Sequence, residues 1–423
     1  MEANEALASA LREAGLTQAE LAEAVNAYLR SLGREGTVSD RTVRHWLTGK
    51  TRWPHPRQRE ALQAVFGCPV EDLGFATPAA RRTTSSSPED DPVRRRNFIT
   101  ATTGATAAAV PLVAARPHAV GTTDVLRLRS GLDALTALDD TRGGHEALER
   151  AALSGASQAL DMQTHAASQR VRQRLFGVAA DYTATAAWSA LDGRLPERTE
   201  AHLNRALYLA GMAKDPAIEM RVWNFFAMLA HQRHNYRQAV DSAHAAQATA
   251  ITRRDPLHAS LAHARAAVCH AHTDDRQGAL RSLGHAREAL DKADLNAPRP
   301  RWLDFYGPAE LNALASVTHD RIGQPSEAEA ASHRALSAIP ERFRRNRALA
   351  TAQLAFAQLH QHDTEQACDT AGQVFALMDG APIPGRMRSL LGDFHRDLIT
   401  TAPDAPGTRE WTERHRDEWS RTR

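Results

Sequence analysis

Hydrophobic residues in the first 75 positions recur at helical spacing and are interrupted by capping and stop signals. Leu7, Leu11 and Ala14 would share one face of a first helix. Thr17, followed three residues later by Glu20, forms a capping box that predicts the start of a second helix. Two further helices complete a small helical domain over residues 1–75. Their signals are a cap at Ser39, a stop at Gly49, and Pro54 and Pro56 before Leu62, Val65 and Phe66.

From residue 121 onward, long Ala/Leu-rich segments alternate with short polar turns. Small residues recur in five successive segments at intervals of 40, 40, 49 and 39 residues, and others follow 12 and then 19 positions later. Because small side chains let helices approach closely, this periodicity predicts stacked helical hairpins, that is, a solenoid. The longer interval contains a proline-rich insertion, residues 294–308. The positions are Ala187, Ala227, Ala267, Ser316 and Ala355; then Thr199, Ala239, Ala279, Ala328 and Ala367; then Ala206, Ala246, Ala286, Ala335 and Val374.

The segment between these two regions has the composition of a linker. Residues 76–96 are rich in Pro, Ser and charge and almost free of large apolar residues. The pattern therefore predicts three parts: a domain over residues 1–75, a linker with a short helix over 76–120, and a repeat domain over 121–423. The RRNF sequence at residues 95–98 resembles a twin-arginine export signal, but more than 90 residues precede it. A linker is therefore the favoured interpretation, and export is the alternative.

Composition favours an all-α protein. The chain is 42% hydrophobic but only 5% aromatic, so its core must be built from Ala, Leu and Val, which suits closely packed helices. Lysine and arginine total 52 and acids 50, which excludes a polybasic or strongly acidic chain. The same balance of charge holds within the predicted repeat domain, since residues 121–423 carry 37 bases and 37 acids. Residues 34–59, however, carry seven bases against two acids, as expected of a phosphate-binding surface.

Two short stretches of this basic region and its neighbourhood resemble the Cro/phage-repressor (Xre-like) helix-turn-helix family. Residues 16–22 (LTQAELA) are similar to that family's second-helix opening, and residues 43–49 (VRHWLTG) to its third helix and stop. The resemblance implies that the third helix enters the major groove of double-stranded DNA. The family's short turn is replaced here by about a dozen residues, from Tyr28 to Val38, which either lengthen the second helix or form a loop.

The expected DNA contacts follow from the resemblance and from helical spacing. Val43, Trp46 and Leu47 would face inward and leave the opposite side of the third helix outward. Arg41 and Arg44 are the best candidates for base readout, because arginine pairs bidentately with guanine. Lys50, Arg52 and Arg57 would contact phosphates. The full predicted set is Gln18, Ser39, Asp40, Arg41, Thr42, Arg44, His45, Lys50, Arg52 and Arg57.

The C-terminal periodicity resembles the tetratricopeptide repeat, although its period is nearer 40 residues than the family's 34, and most aromatic positions hold other residues. In that family ligands lie against outward positions of the first helix of each hairpin. The implied ligand contacts combine aromatic, amide and charged groups, which suits a peptide or a small-molecule effector. The alternative is a solvated groove or one filled by a partner subunit. Transferred by register, the contacts are Trp188, Arg221, Asn224, Met228, His231, Glu310, Asp320 and Phe356.

Other chemistry finds little support in the sequence. Residues 48–51 (TGKT) resemble the end of a phosphate-binding loop, but Arg44 stands where such a loop needs glycine. The cluster from Cys269 to Asp275 invites a metal site, yet adjacent residues point in different directions around a helix. We expect no cofactor, no metal and no enzymatic activity. Three scattered cysteines, no N-terminal signal peptide and no membrane-length apolar run favour a cytoplasmic location.

The complete layout resembles actinobacterial helix-turn-helix regulators with tetratricopeptide-like C-terminal repeats. The resemblance implies a sequence-specific transcriptional regulator whose repeat domain forms a homodimer and senses a peptide or small-molecule effector. A different class of function is also compatible with the pattern, namely a helical-repeat scaffold for protein interactions that does not bind DNA. The steep salt dependence of DNA binding would separate the two.

Overall fold

The computed structural model describes residues 3–14, 16–31, 34, 36–66, 68–75, 120–142, 146–297, 299–379 and 383–421. All regular structure in these ranges is helical, as the composition predicted. Helices α2–α4 and most of α1 lie in one compact unit, and α5–α18 lie in a second. The linker predicted over residues 76–120, with its RRNF segment, lies outside the described residues except for Val120.

In its described residues the first unit has four short helices around a small apolar core. Leu7, Leu21, Trp46 and Leu62 are fully buried in it. The predicted capping box is present: Glu20 accepts from the Thr17 amide (2.8 Å), and the Glu20 amide donates to the Thr17 hydroxyl (3.3 Å). The helices are α1 (Glu5–Glu13), α2 (Gln18–Ser31), α3 (Asp40–Leu47) and α4 (Pro56–Phe66).

The insertion before α3 lengthens α2. Helix α2 continues through Ser31, and the described residues between it and α3, 34 and 36–39, are not helical. The Asn26 amide fixes the end of the loop by donating to the Val38 carbonyl (2.7 Å) and accepting from the Val38 amide (2.9 Å). Gly36 packs so closely on Asn26 that a Cβ atom there would lie 2.7 Å from the asparagine side chain. These contacts set where α3 begins.

The second unit consists of successive antiparallel helix pairs. Pairs α7–α8 to α15–α16 form the repeats, flanked by α5–α6 and α17–α18. The helices are α5 (Thr122–Arg142), α6 (Glu146–Asp161), α7 (Gln169–Asp192), α8 (Pro196–Ala213), α9 (Pro216–Gln232), α10 (Tyr236–Ala248), α11 (Pro256–Ala271), α12 (Arg276–Asp291), α13 (Pro308–Arg321), α14 (Pro325–Ala338), α15 (Arg344–His360), α16 (Thr364–Leu377), α17 (Gly385–Thr401) and α18 (Pro406–Arg421).

The small-residue register lies where helices touch. All fifteen positions of the register fall within the described chain, and none is more than 2% exposed. In the fourth repeat, Ser316 on α13 meets Ser332 on α14 at 2.6 Å between hydroxyl oxygens. Small side chains thus allow close contact between paired helices, and the solenoid prediction is confirmed.

The turns inside the hairpins repeat one backbone geometry. Seven positions after each first-helix small residue, the described chain has a positive φ, between 57° and 74°. The next amide then donates to the carbonyl five residues earlier at 2.9 to 3.1 Å, which is the Schellman pattern of helix ends. Only one of these five residues is a glycine, so the fold imposes the left-handed conformation on the others. They are Arg194, His234, Asp274, Gly323 and His362.

The proline-rich insertion between α12 and α13 is held against the repeats. Arg299 donates to both oxygens of Asp255 at 2.7 and 3.0 Å. Tyr306 is 4% exposed, and its hydroxyl lies 2.7 Å from that of Ser260. Although burial opposes it, hydrogen bonds from His258 and Arg299 hold the pKa of Asp255 well below its usual range. The insertion is therefore an ordered part of the repeat unit.

The last hairpins of the second unit return to its first ones. Arg194, just after α7, donates to the Ser389 hydroxyl on α17 at 2.7 Å. Gly385 at the start of α17 packs on the Gly193 backbone so closely that a Cβ there would lie 2.9 Å from its carbonyl oxygen. The odd-numbered helices α5 to α17 consequently surround a central space. None of the described helices combines the length and apolar character that crossing a bilayer requires.

Candidate functional site

Helix α3 presents arginines on the side opposite to its buried residues. Val43 and Trp46 are fully buried, and Trp46 meets Phe75 edge to face with 6.4 Å between ring centres. Arg41 and Arg44 are exposed on the other side, together with Asp40. The helical spacing thus anchors α3 by its apolar face and leaves two guanidinium groups toward solvent.

Further cations follow α3 along the chain. Lys50, Arg52 and Arg57 are exposed, and within the described residues neither they nor Arg41 and Arg44 form an ion pair. Other arginines of this unit are engaged. Arg34 lies 2.7 Å from Glu60, and Arg59 stacks over the Trp53 ring at 4.4 Å. The segment from Arg41 to Arg57 therefore offers five cations to an external anionic partner.

The remaining residues of the predicted DNA-contacting set have more structural roles. Ser39 and Thr42 cap α3 reciprocally: the Thr42 amide donates to the Ser39 hydroxyl at 3.4 Å, and the Ser39 amide donates to the Thr42 hydroxyl at 3.3 Å. His45 is half-buried, and Gln18 is half-buried at the first turn of α2. Ser39 remains exposed and Thr42 is half-buried, so the cap positions α3 without burying either residue completely.

The odd-numbered helices of the second unit enclose a cavity of about 470 Å³. This volume is within the range of small-molecule sites, roughly 300 to 1,000 Å³. Six of the eight predicted ligand contacts, all within the described chain, line it together. They are Trp188, Arg221, Asn224, Met228, His231 and Glu310.

The other two predicted contacts lie elsewhere. Asp320 accepts a hydrogen bond from His360 at 2.7 Å, and His360 also contacts Asp397 at 3.2 Å. Phe356 is 8% exposed and packs edge to face on Phe394 at 5.5 Å, in the core shared by α15 and α17. Both residues thus join neighbouring inner helices. Asp320 links α13 to α15, and Phe356 links α15 to α17.

One wall of the cavity alternates aromatic rings with guanidinium groups. Arg221 lies 5.4 Å from the ring centres of both Trp302 and Phe225. Phe225 stacks on Trp188 at 5.4 Å, and Arg386 covers Trp188 at 5.1 Å. Each contact is a favourable cation–π or stacking interaction. The result is a continuous, flat, cationic surface contributed by α7, α9, α17 and the insertion.

Arginine predominates around this cavity. Within the described chain seven arginines line it, whereas three carboxylates do so: Asp139, Glu310 and Asp393. Arg221 is neutralised from behind by Asp181 at 2.9 Å and is only 6% exposed. Burial raises the pKa of Glu310, although Arg265 and Arg386 oppose the shift. The arginines are Arg194, Arg221, Arg265, Arg301, Arg345, Arg386 and Arg396.

Asn224 is a buried amide with unused hydrogen-bonding capacity. It is 4% exposed, and neither its Oδ1 nor its Nδ2 has a hydrogen-bond partner in the part of the chain that the structure describes. A buried polar group left without a partner costs about 1–3 kcal/mol. Since Asn224 lines the cavity one helical turn after Arg221, a bound molecule could use both its donor and its acceptor.

Two histidines near the cavity mouth are held neutral. The rings of His231 and His272 lie 4.1 Å apart, and Tyr236 stacks on His272 at 5.2 Å. Burial lowers the pKa of His231 to about 4 and that of His272 to about 3; His234 further depresses the pKa of His231, and His231 further depresses that of His272. Across the described residues no group of three or more His, Cys, Asp or Glu side chains is arranged to hold a metal ion.

Several cavity residues were not anticipated from the sequence. Trp302 and Phe305 come from the insertion, which the repeat analysis treated only as an interruption. Its aromatic content in an otherwise aromatic-poor chain was an available signal. Arg265, Arg345 and Arg386 lie on inner helices, but abundant arginine everywhere in the sequence gave no reason to single them out.

Comparison with known proteins gives a family match for the first unit. No curated protein matches the chain. Residues 7–75 are similar to the SP15 N-terminal domain, the family whose model they match, and this range covers the greater part of α1–α4.

Proposed function

We propose that this protein is a sequence-specific DNA-binding transcriptional regulator whose repeat domain binds an effector. The observation that carries the proposal is the group of five exposed cations on and after α3, none of them paired with a carboxylate among the described residues. Unpaired cations of this kind meet phosphates at no cost of broken ion pairs and release counterions from DNA.

In this proposal α3 lies in the major groove. Arg41 and Arg44 reach base edges, where a guanidinium can donate two hydrogen bonds to guanine. Lys50, Arg52 and Arg57 then contact the phosphate backbone and fix the orientation. One such unit reads few bases, so we propose a homodimer formed through the repeat domain, with half-sites about 34 Å apart.

The cavity of the second unit supports the effector half of the proposal. It is enclosed by helices from both ends of the repeat array. Asp192 on α7 joins these ends through ion pairs with Arg345 on α15 and Arg386 on α17. A molecule that binds there with different affinity for the closed and a more open array would shift the balance between them. Such a shift would change the spacing of two DNA-binding units in a dimer.

The decisive experiment selects DNA from a random-sequence pool with the full chain and then measures the affinity of the selected sites by fluorescence anisotropy. We expect Arg41→Ala/Arg44→Ala to weaken binding by at least about tenfold, since each bidentate contact contributes roughly 1–3 kcal/mol. The matched control is Arg30→Ala/Arg34→Ala, which removes the same charge from the same unit. Those two arginines are already paired with Glu23 and Glu60.

Equal loss of affinity in the two double variants would contradict the assignment of α3 as the base-reading helix. It would mean that only the net charge of the unit affects DNA binding. Failure to enrich any sequence at low salt would favour a protein-interaction scaffold. The same five cations could dock an acidic protein surface, but that binding would depend far less steeply on salt.

A further inference from the structure

The chemistry of the cavity wall identifies the kind of effector it would accept. Asp192 is a buried carboxylate that faces both Arg345, at 3.4 Å, and Arg386, at 3.3 Å, and Asp139 also lies 3.4 Å from Arg345. Among the described residues, Arg265 pairs with Glu310 alone, at 3.5 Å. Two lining arginines, Arg194 and Arg301, form no ion pair with any residue that the structure describes. The cavity therefore carries positive charge that the protein does not neutralise.

The shape of the wall adds a second requirement. Trp188 and Phe225 stack with 27° between their planes, and Trp302 continues the surface on the far side of Arg221. Trp188 is fixed in place because its indole N–H donates to Asp139 at 2.9 Å. A rigid row of rings and guanidinium planes favours a flat, unsaturated molecule over a flexible aliphatic one.

We propose that this cavity binds a carboxylate attached to a planar aromatic body, with the carboxylate beside Arg265, Arg345 and Arg386 and the rings along Trp188, Phe225 and Trp302. The Asn224 amide would then meet polar substituents of the body. The inference rests on the proposed effector-binding role of the cavity, but it is independent of DNA binding. The shared chemistry has two sources, a free aromatic acid or the C-terminal aromatic residue of a peptide.

Calorimetric titration of the full chain in the absence of DNA tests this inference. The probes are two matched pairs: 2-naphthoate with 2-naphthamide, and the dipeptide Gly-Phe with its C-terminal amide. We expect at least one acid to bind about tenfold more tightly than its amide. A preference confined to naphthoate identifies a free acid, and one confined to Gly-Phe identifies a peptide terminus.

Variants locate the site. Arg386→Gln should reduce the ratio of acid to amide affinity to about threefold or less, whereas Arg287→Gln should leave it unchanged. Arg287 is exposed on α12 and does not line the cavity. Because Arg386 also helps to close the array, Arg265→Gln/Glu310→Gln provides a second test. It removes a guanidinium from the cavity without changing net charge, and helical circular dichroism verifies its fold.

Three outcomes would overturn the inference: equal binding of acid and amide, no binding of either acid up to about 5 mM, or an unchanged ratio in both cavity variants. Tight binding of the amides, which lack the carboxylate, would retain the effector-binding role while removing the requirement for an anion. Loss of DNA binding in the selection experiment would leave these titrations unaffected, so the two proposals fail separately.

Discussion

Asp192 Oδ2 lies 3.4 Å from Nη1 of Arg345, although the two residues are 153 positions apart along the chain. The Asp192 side chain is 1% exposed, and its other oxygen lies 3.3 Å from Nε of Arg386. One buried carboxylate at the end of α7 thereby joins α15 and α17. Solenoids need contacts only between neighbouring repeats, so this long-range ion pair is one of the contacts that close the array into an enclosure, together with Arg194–Ser389.

Replacement of Asp192 by asparagine should destabilise the repeat unit strongly. The change leaves Arg386 without its carboxylate and Arg345 with Asp139, and removing one partner of a buried pair costs about 3–5 kcal/mol. Chemical denaturation followed by circular dichroism measures the loss. Asp241→Asn, at an exposed position of α10, serves as the control and should change the free energy of unfolding by less than about 0.5 kcal/mol. Similar small effects for both variants would contradict the role of Asp192 in closure.

Replacement of Asn224 by leucine should stabilise the ligand-free protein while impairing the cavity. Relief of the two unpartnered polar atoms is expected to raise the free energy of unfolding by about 1–3 kcal/mol. Asn26→Leu offers the contrast, because Asn26 makes two hydrogen bonds to Val38 and its loss should destabilise the first unit. Denaturation curves of both variants test the pair of predictions. A destabilised Asn224→Leu protein would indicate that this amide supports the fold.

The buried histidines predict a loss of stability in acid. His231 and His272 have folded-state pKa values of about 4 and about 3, below the unfolded value near 6.5. The unfolded chain therefore takes up protons first, and stability falls as pH drops below about 6.5. His231→Gln/His272→Gln should lose less thermal stability than the wild type between pH 7.5 and 5. Parallel curves for the two proteins would refute this assignment.

His360 predicts the opposite pH dependence. The hydrogen bond to Asp320 raises the pKa of His360. Burial opposes this shift, and Asp397 adds to it. Its stabilising contribution is thus complete below the unfolded value near 6.5 and is lost as pH rises through the raised folded-state pKa. His360→Gln should therefore destabilise the protein more at pH 6 than at pH 9.5. His333→Gln, at a largely exposed site on α14, should show no such difference in the same thermal scans.

The phosphate contacts predict a measurable change in salt dependence. If Lys50 neutralises one phosphate, Lys50→Ala should reduce the slope of log affinity against log salt by about 0.9. Its effect should also be uniform across selected sites, whereas Arg41→Ala should change the preferred base at one position. Anisotropy titrations at four salt concentrations measure both. An unaltered slope for Lys50→Ala would exclude Lys50 from the phosphate-contacting set.

Local patterns in the sequence determined much of the fold. The capping signals at Thr17 and Ser39 and the stop at Gly49 correspond to observed helix ends, with Gly49 in the left-handed conformation. The small-residue register identified buried contact points in every repeat. These predictions succeed because caps and close helix contacts depend on a few neighbouring residues, and the repeat shows each of them several times.

The same register placed six residues on the cavity wall, because the first helix of each hairpin turns one face inward. It assigned Asp320 and Phe356 to the same face, but neither lines the cavity, since Asp320 pairs with His360 of α15 and Phe356 packs on Phe394 of α17. The insertion between α12 and α13 shows another limit of prediction from the sequence. Its proline content showed where the repeat is interrupted, but not that tertiary contacts such as Arg299–Asp255 and Tyr306–Ser260 would hold it against the repeats, with Trp302 at the cavity.

The sequence by itself therefore determined the helices, the repeat register and the unbalanced charge after α3. Only the tertiary structure decided that the array closes, that arginines from α7 to α17 converge, and that Asn224 is buried without a partner. The physical reason is that closure depends on the small rotation between successive hairpins, accumulated over the whole array. Asp192 and Arg345 come into contact only because of this accumulated rotation, and no local pattern of residues predicts their contact.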